Sequence, residues 1–220
     1  MTEPEKFKVS DILYAIVIPI IVAIIIIALP VIIGPGVTHI VGTESPIPFI
    51  ITYGFAQMLT LAVPLILGLL WNKWAGGAAG FLVGGLYYVA YAGLFSIDYV
   101  VFPQDTGMPW NFFRDTAVIG YIVNAILIGY MAGALNNKST NFKRMLGAGL
   151  TASIITAVIQ YILNYYVALQ PARDMTVGLL AADPAQAMLI AFLPNILVGI
   201  IIPILAKVMT WYGLLAGTRY

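Results

Sequence analysis

Apolar residues run through this chain in long blocks separated by short polar stretches. Six blocks reach the roughly 20 residues needed to cross about 30 Å of hydrocarbon. They are 12–33, 49–70, 75–97, 116–135, 145–168 and 185–210. Backbone groups in lipid must bond within their own segment, so each block is predicted to be a helix. The expected fold is all-α: a polytopic membrane helix bundle of six transmembrane helices, with residues 1–220 as a single transmembrane domain. The first block follows Lys6 and Lys8 as a signal peptide would. It is too long for a cleaved apolar region of about 7–15 residues and reads as a retained span.

The breaks between blocks carry turn chemistry. Pro30, Gly34, Pro35 and Gly36 end the first block. Trp71-Asn72-Lys73-Trp74 separates the second from the third, a turn so short that the two helices must lie antiparallel. In the third block Gly76, Gly80 and Gly84 recur every fourth residue. One face there has almost no side chain, so another backbone can approach closely. That face is either a packing seam within the bundle or a docking face for a partner subunit. The last block opens at Asp183-Pro184, a capping residue followed by Pro in the first turn. It is expected to be interrupted at Pro194-Asn195 and at Pro203.

Charge orients the bundle. Only 9% of residues are charged and 61% are hydrophobic, with a mean hydropathy of +0.98; an ordinary soluble domain carries about 25% charged residues. Six spans put the N-terminus, 71–74, 136–144 and the C-terminus on one side. Lys6, Lys8, Lys73, Lys138, Lys143, Arg144, Lys207 and Arg219 all fall there, while Arg114 and Arg173 fall on the other. By the positive-inside rule both termini are cytoplasmic.

Much chemistry is excluded. No cysteine is present and His39 is the one histidine, so disulfides, thiolate catalysis and multi-histidine metal or haem sites are out. No phosphate-binding GxxxxGK[ST] loop occurs, so the chain does not bind ATP in that manner. No carboxylate lies at mid-span, where proton or sodium coupling usually places one. A net charge of +1 leaves no nucleic-acid footprint. Asp98, Asp105, Arg114 and Asp115 gather in the loop 98–115. Two acids flanking an arginine more often stabilise a loop than catalyse, and the chain is not expected to be an enzyme or to hold a cofactor or metal.

What remains is a set of interior amides: Gln57, Asn124, Gln160, Asn164 and Asn195. A buried amide is costly without a partner, so each should face another helix or a cavity. Gln57 and Asn124 read as bonds between helices. Gln160 and Asn164 share one helix face, and Asn195 follows Pro194, which releases the carbonyl one turn earlier. With Tyr165, Trp110 and the tyrosines Tyr87, Tyr88 and Tyr91 they would line an outward-facing, aromatic, uncharged pocket suited to a small ring-bearing ligand.

Two stretches resemble a known family. PLILGLLWNKWAGGAAGFLVGGL at Pro64–Leu86 is similar to the second-to-third helix passage of the substrate-binding S components of energy-coupling factor (ECF) vitamin transporters. LPNILVGIIIPILAKVM at Leu193–Met209 is like the last helix of that family. The resemblance implies a membrane-embedded binder of a vitamin or metabolite, in the plasma membrane of a prokaryote. It also implies docking on a transmembrane T component and two ATPase subunits, and a ligand site near the outer face. Such proteins often dock through small residues on the first helix; here that helix offers Ala15, Pro19 and Ala23, and docking falls instead to Gly76, Gly80 and Gly84. The competing expectation is a structural or accessory subunit of a larger membrane complex with no ligand of its own.

Overall fold

The computed structural model describes residues 17, 20–21, 24–25, 55–94, 116–163 and 184–212. Among them are five helices and no strand: α1 Phe55–Leu70, α2 Lys73–Leu94, α3 Thr116–Asn136, α4 Phe142–Ile162 and α5 Pro184–Trp211. The first apolar block, 12–33, lies almost wholly outside the described residues. Two segments, Phe142–Ile162 and Ala191–Trp211, are long and apolar enough to cross a membrane. Each has 21 residues, about 31 Å of helix at 1.5 Å per residue.

Asparagines shape the turns. Asn72 Oδ1 accepts from the Ala75 N–H at 2.8 Å and caps α2. Asn141, extended at φ −74° and ψ 120°, caps α4 by accepting from the Lys143 N–H. Each cap satisfies one of the donors that a helix start leaves unpaired. Beyond α3, Asn137 and Lys138 take positive φ of 48° and 57°, a conformation that Asn tolerates better than most residues. Asn136 is fully buried at the foot of α3. Its Nδ2 donates to the Leu69 carbonyl at 2.7 Å and to the Ser139 carbonyl at 3.0 Å, tying the end of α1 to this turn.

The helices make a square with one helix outside it. Helices α3 and α5 each pack on both α1 and α4, while α1 and α4 barely meet across the diagonal. Helix α2 lies outside, against α1 and α3. The apolar core on the axis of the square takes Leu61, Leu65 and Leu69 from α1 and Ile128 and Ala132 from α3. Met145, Ala148 and Ala152 come from α4, and Val198, Ile202 and Ala206 from α5. The outer faces are apolar too: Ile154, Ile155 and Val158 of α4 and Ile200, Ile201, Ile204 and Leu205 of α5 are exposed.

The cations of the described residues come to one end. Lys207 donates to the Thr140 carbonyl at 3.0 Å, and Arg144 Nε to the Leu135 carbonyl at 3.2 Å. Lys73 lies 5.7 Å from the Trp74 ring and 5.8 Å from the Tyr130 ring, within reach of a cation–π attraction. The described residues carry five cations and no carboxylate.

The structure corrects two expectations. Helix α5 is not interrupted: it runs unbroken from Pro184 to Trp211 with Pro194 and Pro203 inside it. One bonding position is lost at each proline, and the rest of the ladder carries the helix through. Pro203 also fills space, its ring standing where a side chain at Gly149 of α4 would go. The second correction concerns the glycine face of α2. A Cβ at Gly76 would strike the backbone of Gly129, one at Gly80 the carbonyl of Ala125, and one at Gly84 the backbone of Ile122. The chain's own α3 therefore occupies the face expected to dock a partner. Gly68 of α1 reaches the same point, against the backbone of Gly129 and Gly133. Three helices meet there with no side chain between them.

This seam predicts a contrast. Gly80→Ala puts a methyl into the Ala125 carbonyl and should destabilise by about 1–3 kcal/mol, the usual cost of overpacking. Gly85→Ala meets nothing within 4 Å and should be neutral or stabilising by up to about 1 kcal/mol through helix propensity. Thermal melts of the two variants beside the parent protein check both.

Candidate functional site

Each helix of the square places one amide just beyond the apolar core. Gln57 stands one turn before Leu61 on α1, Asn124 one turn before Ile128 on α3, and Asn195 one turn before Val198 on α5. On α4, which runs the other way, Gln160 follows Ala152 by two turns, with Thr156 between them. The register of the contacts brings the four toward the same end of the bundle, with Gln57 about six residues, roughly 9 Å, beyond Asn124 along the axis. Gly68 against Gly129 aligns α1 with α3, Gly120 against Leu163 aligns α3 with α4, and Gly149 against Gly199 aligns α4 with α5. The amides then lie within roughly two helical turns of one another along the axis. All four are buried, Asn124 at 1% exposure and Asn195 at 0%.

The layer is bonded on one side and unbonded on the other. On the α4–α5 side, Asn195 Nδ2 donates to Gln160 Oε1 at 2.9 Å and to the Ala191 carbonyl at 2.8 Å, which uses both its amide hydrogens. Asn195 Oδ1 lies 3.0 Å from the Thr156 hydroxyl. That hydroxyl also lies 2.9 Å from the Ala152 carbonyl, so its single proton serves one of these acceptors at a time. On the α1–α3 side, Asn124 Nδ2, Asn124 Oδ1 and Gln57 Nε2 have no hydrogen-bond partner among the described residues. An unpaired buried polar group costs about 1–3 kcal/mol, and Asn124 presents a donor and an acceptor together.

The hydrogen bonding differs from what the sequence reading expects. Gln160 and Asn195 are brought together, but largely to bond each other. Gln57 and Asn124 are read as ties between helices, yet among the described residues Gln57 Nε2 and both polar atoms of Asn124 have no partner. Thr156 was overlooked, although its spacing of four from Gln160 puts it on the same face. Tyr87 belongs elsewhere: it is buried with Val63, Leu67, Ala79 and Val83 in a second core between α1 and α2. Its ring meets Tyr121 of α3 edge-on, with centroids 5.3 Å apart. The side chains of Tyr88 and Tyr91, and all of Trp110, Asn164 and Tyr165, lie outside the described residues.

The chemistry available at the layer is neutral hydrogen bonding. Among the described residues no cluster of His, Cys, Asp or Glu is placed to hold a metal. No family model, no curated protein and no solved structure matches the chain.

If Gln160 and Asn195 hold α4 to α5, their contributions must be coupled. A double-mutant cycle of Gln160→Ala and Asn195→Ala should give a coupling energy of about 0.5–2 kcal/mol, the range of such bonds in membrane bundles. Equilibrium unfolding of the four species measures it.

Proposed function

We propose that this chain is a membrane-embedded subunit that binds a small organic molecule for an ATP-driven importer. The observation that carries the reading is the half-bonded amide layer. Most of the remaining buried side chains are apolar, and a bundle held together by polar ties alone would pair its buried amides with one another. Here the amides of α4 and α5 are paired with each other, while among the described residues Asn124 keeps a donor and an acceptor and Gln57 a donor without partners, as Ser153 Oγ of α4 also does. A binding site needs such groups: few, buried, and aimed at one place in an apolar surround.

The setting in lipid is part of the proposal. Apolar outer faces on α4 and α5 suit acyl chains. The end at which the described cations gather suits a cytoplasmic surface. Six spans with both termini inside follow if 12–33 forms the first. The likeness to ECF S components at Pro64–Leu86 and Leu193–Met209 adds a T component and two ATPase subunits as partners, and the plasma membrane of a prokaryote as the location. The seam at Gly76, Gly80 and Gly84 is filled by α3, so that partner must dock on another face.

A second reading is favoured by the Thr156–Gln160–Asn195 network, which is closed on itself as a purely structural tie would be. On that reading the chain is an accessory subunit of a larger membrane complex. The two part on a screen of metabolites against the purified protein. A binder at a hundred times its Kd stabilises the fold by about 2.7 kcal/mol, which is several degrees in Tm. The importer reading expects at least one small organic molecule to do this, and native mass spectrometry to find it with two ATPase subunits. Co-purification with non-transport subunits, and no stabilising molecule, would support the accessory role.

A further inference from the structure

We infer that Asn124 is the ligand-recognising residue of this bundle, and that its ligand is uncharged with an amide-like edge: a lactam, ureide, primary amide or nucleobase. The inference deepens the binding role proposed above and rests on it. Four observations lead to it. Asn124 is 99% buried, since its exposure is 1%. Both polar atoms of its side chain lack a partner among the described residues. It stands on the axial face of α3, one turn from Ile128 of the core. The neighbouring helix α1 contributes a further unpaired donor, Gln57 Nε2, at the same end of that core.

The ligand class follows from complementarity. A carboxamide offers a donor and an acceptor about 2.3 Å apart in one plane, and it pairs in two-point fashion with groups that carry an adjacent acceptor and donor, as Asn does with adenine. Ions are disfavoured. The described residues carry no carboxylate to meet a cation. Their five cations lie at the opposite end of the bundle, by the turns 71–72 and 137–141. A charged ligand at the amide layer would sit in an apolar surround without a counter-ion, which is costly. Gln160 and Asn195 are held by each other and form the wall behind the ligand.

The test uses the full chain and matched probes: uracil against 1,3-dimethyluracil, and benzamide against benzoate. Each is followed by thermal shift for the parent protein and for Asn124→Leu, with Asn124→Ala as a second variant that adds no bulk. Uracil or benzamide should raise the Tm of the parent protein, while the methylated and charged analogues should not. Both variants should lose the shift. Without ligand, Asn124→Leu should melt about 2–4 °C higher, because removing one unpaired buried group is worth that much in a chain of this size. If only charged molecules stabilise the parent, the ligand class is wrong and the binding role stands. If no molecule from a broad metabolite screen stabilises it, the binding role falls and this inference with it. If both variants melt lower than the parent by as much as Asn195→Leu does, Asn124 is a structural tie and the inference is overturned.

Discussion

Close approach of backbone to backbone is what the rest of this structure depends on. Gly68, Gly76, Gly129 and Gly133 let three helices meet at one point without side chains between them. In lipid, the setting proposed for the chain, there is no hydrophobic force to drive helices together, and such contacts would carry the association. They also fix the register. Once Gly68 is set against Gly129, Leu61, Leu65 and Leu69 come to the stretch of α3 that holds Ile128 and Ala132, and Gln57 comes to the same end of the core as Asn124, about six residues, roughly 9 Å, beyond it. A second crossing, Gly149 on Gly199 and Pro203, does the same for α4 and α5. That crossing brings Asn195 to Gln160.

The amide layer is thus a consequence of register, and its asymmetry is the informative part. Four helices each deliver an amide, and only two of the four bond across the bundle. Full pairing would have made the layer a structural tie from wall to wall. Full burial without pairing would have cost several kcal/mol by the unpaired-group rule. The arrangement between these extremes has bonded amides on α4 and α5 and, among the described residues, unbonded groups on α1 and α3. That combination of rigid backing and unused bonding capacity is the physical content of the binding role proposed for the chain.

Much of the fold was legible in the sequence because apolar block length is a strong signal. The blocks 116–135 and 185–210 match α3 and α5 to within a residue at either end. The glycines of α2 announced a close contact, but spacing alone does not say with what. Gly129 and Gly133 were visible on α3, and their complementarity to Gly76 appears only when the two helices are seen antiparallel. Proline misled in α5, since Pro194 reads as a break wherever the surrounding helix is not seen to persist. The site was less legible for a plain reason. An amide in an apolar helix looks the same whether it will be paired or not. Pairing is decided by the neighbour that the register delivers, so Asn195 is found bonded and Asn124 without a partner among the described residues.

The most direct test of this account is an experimental density map of the protein purified gently from its own membrane, read at the side chain of Asn124. The account predicts non-protein density within hydrogen-bond reach of Asn124 Nδ2 and Oδ1 and bordered by Gln57. An Asn124 amide bonded instead to a protein group, with side chains packed across the axis, would contradict it and leave a bundle whose buried amides serve only to hold its helices together.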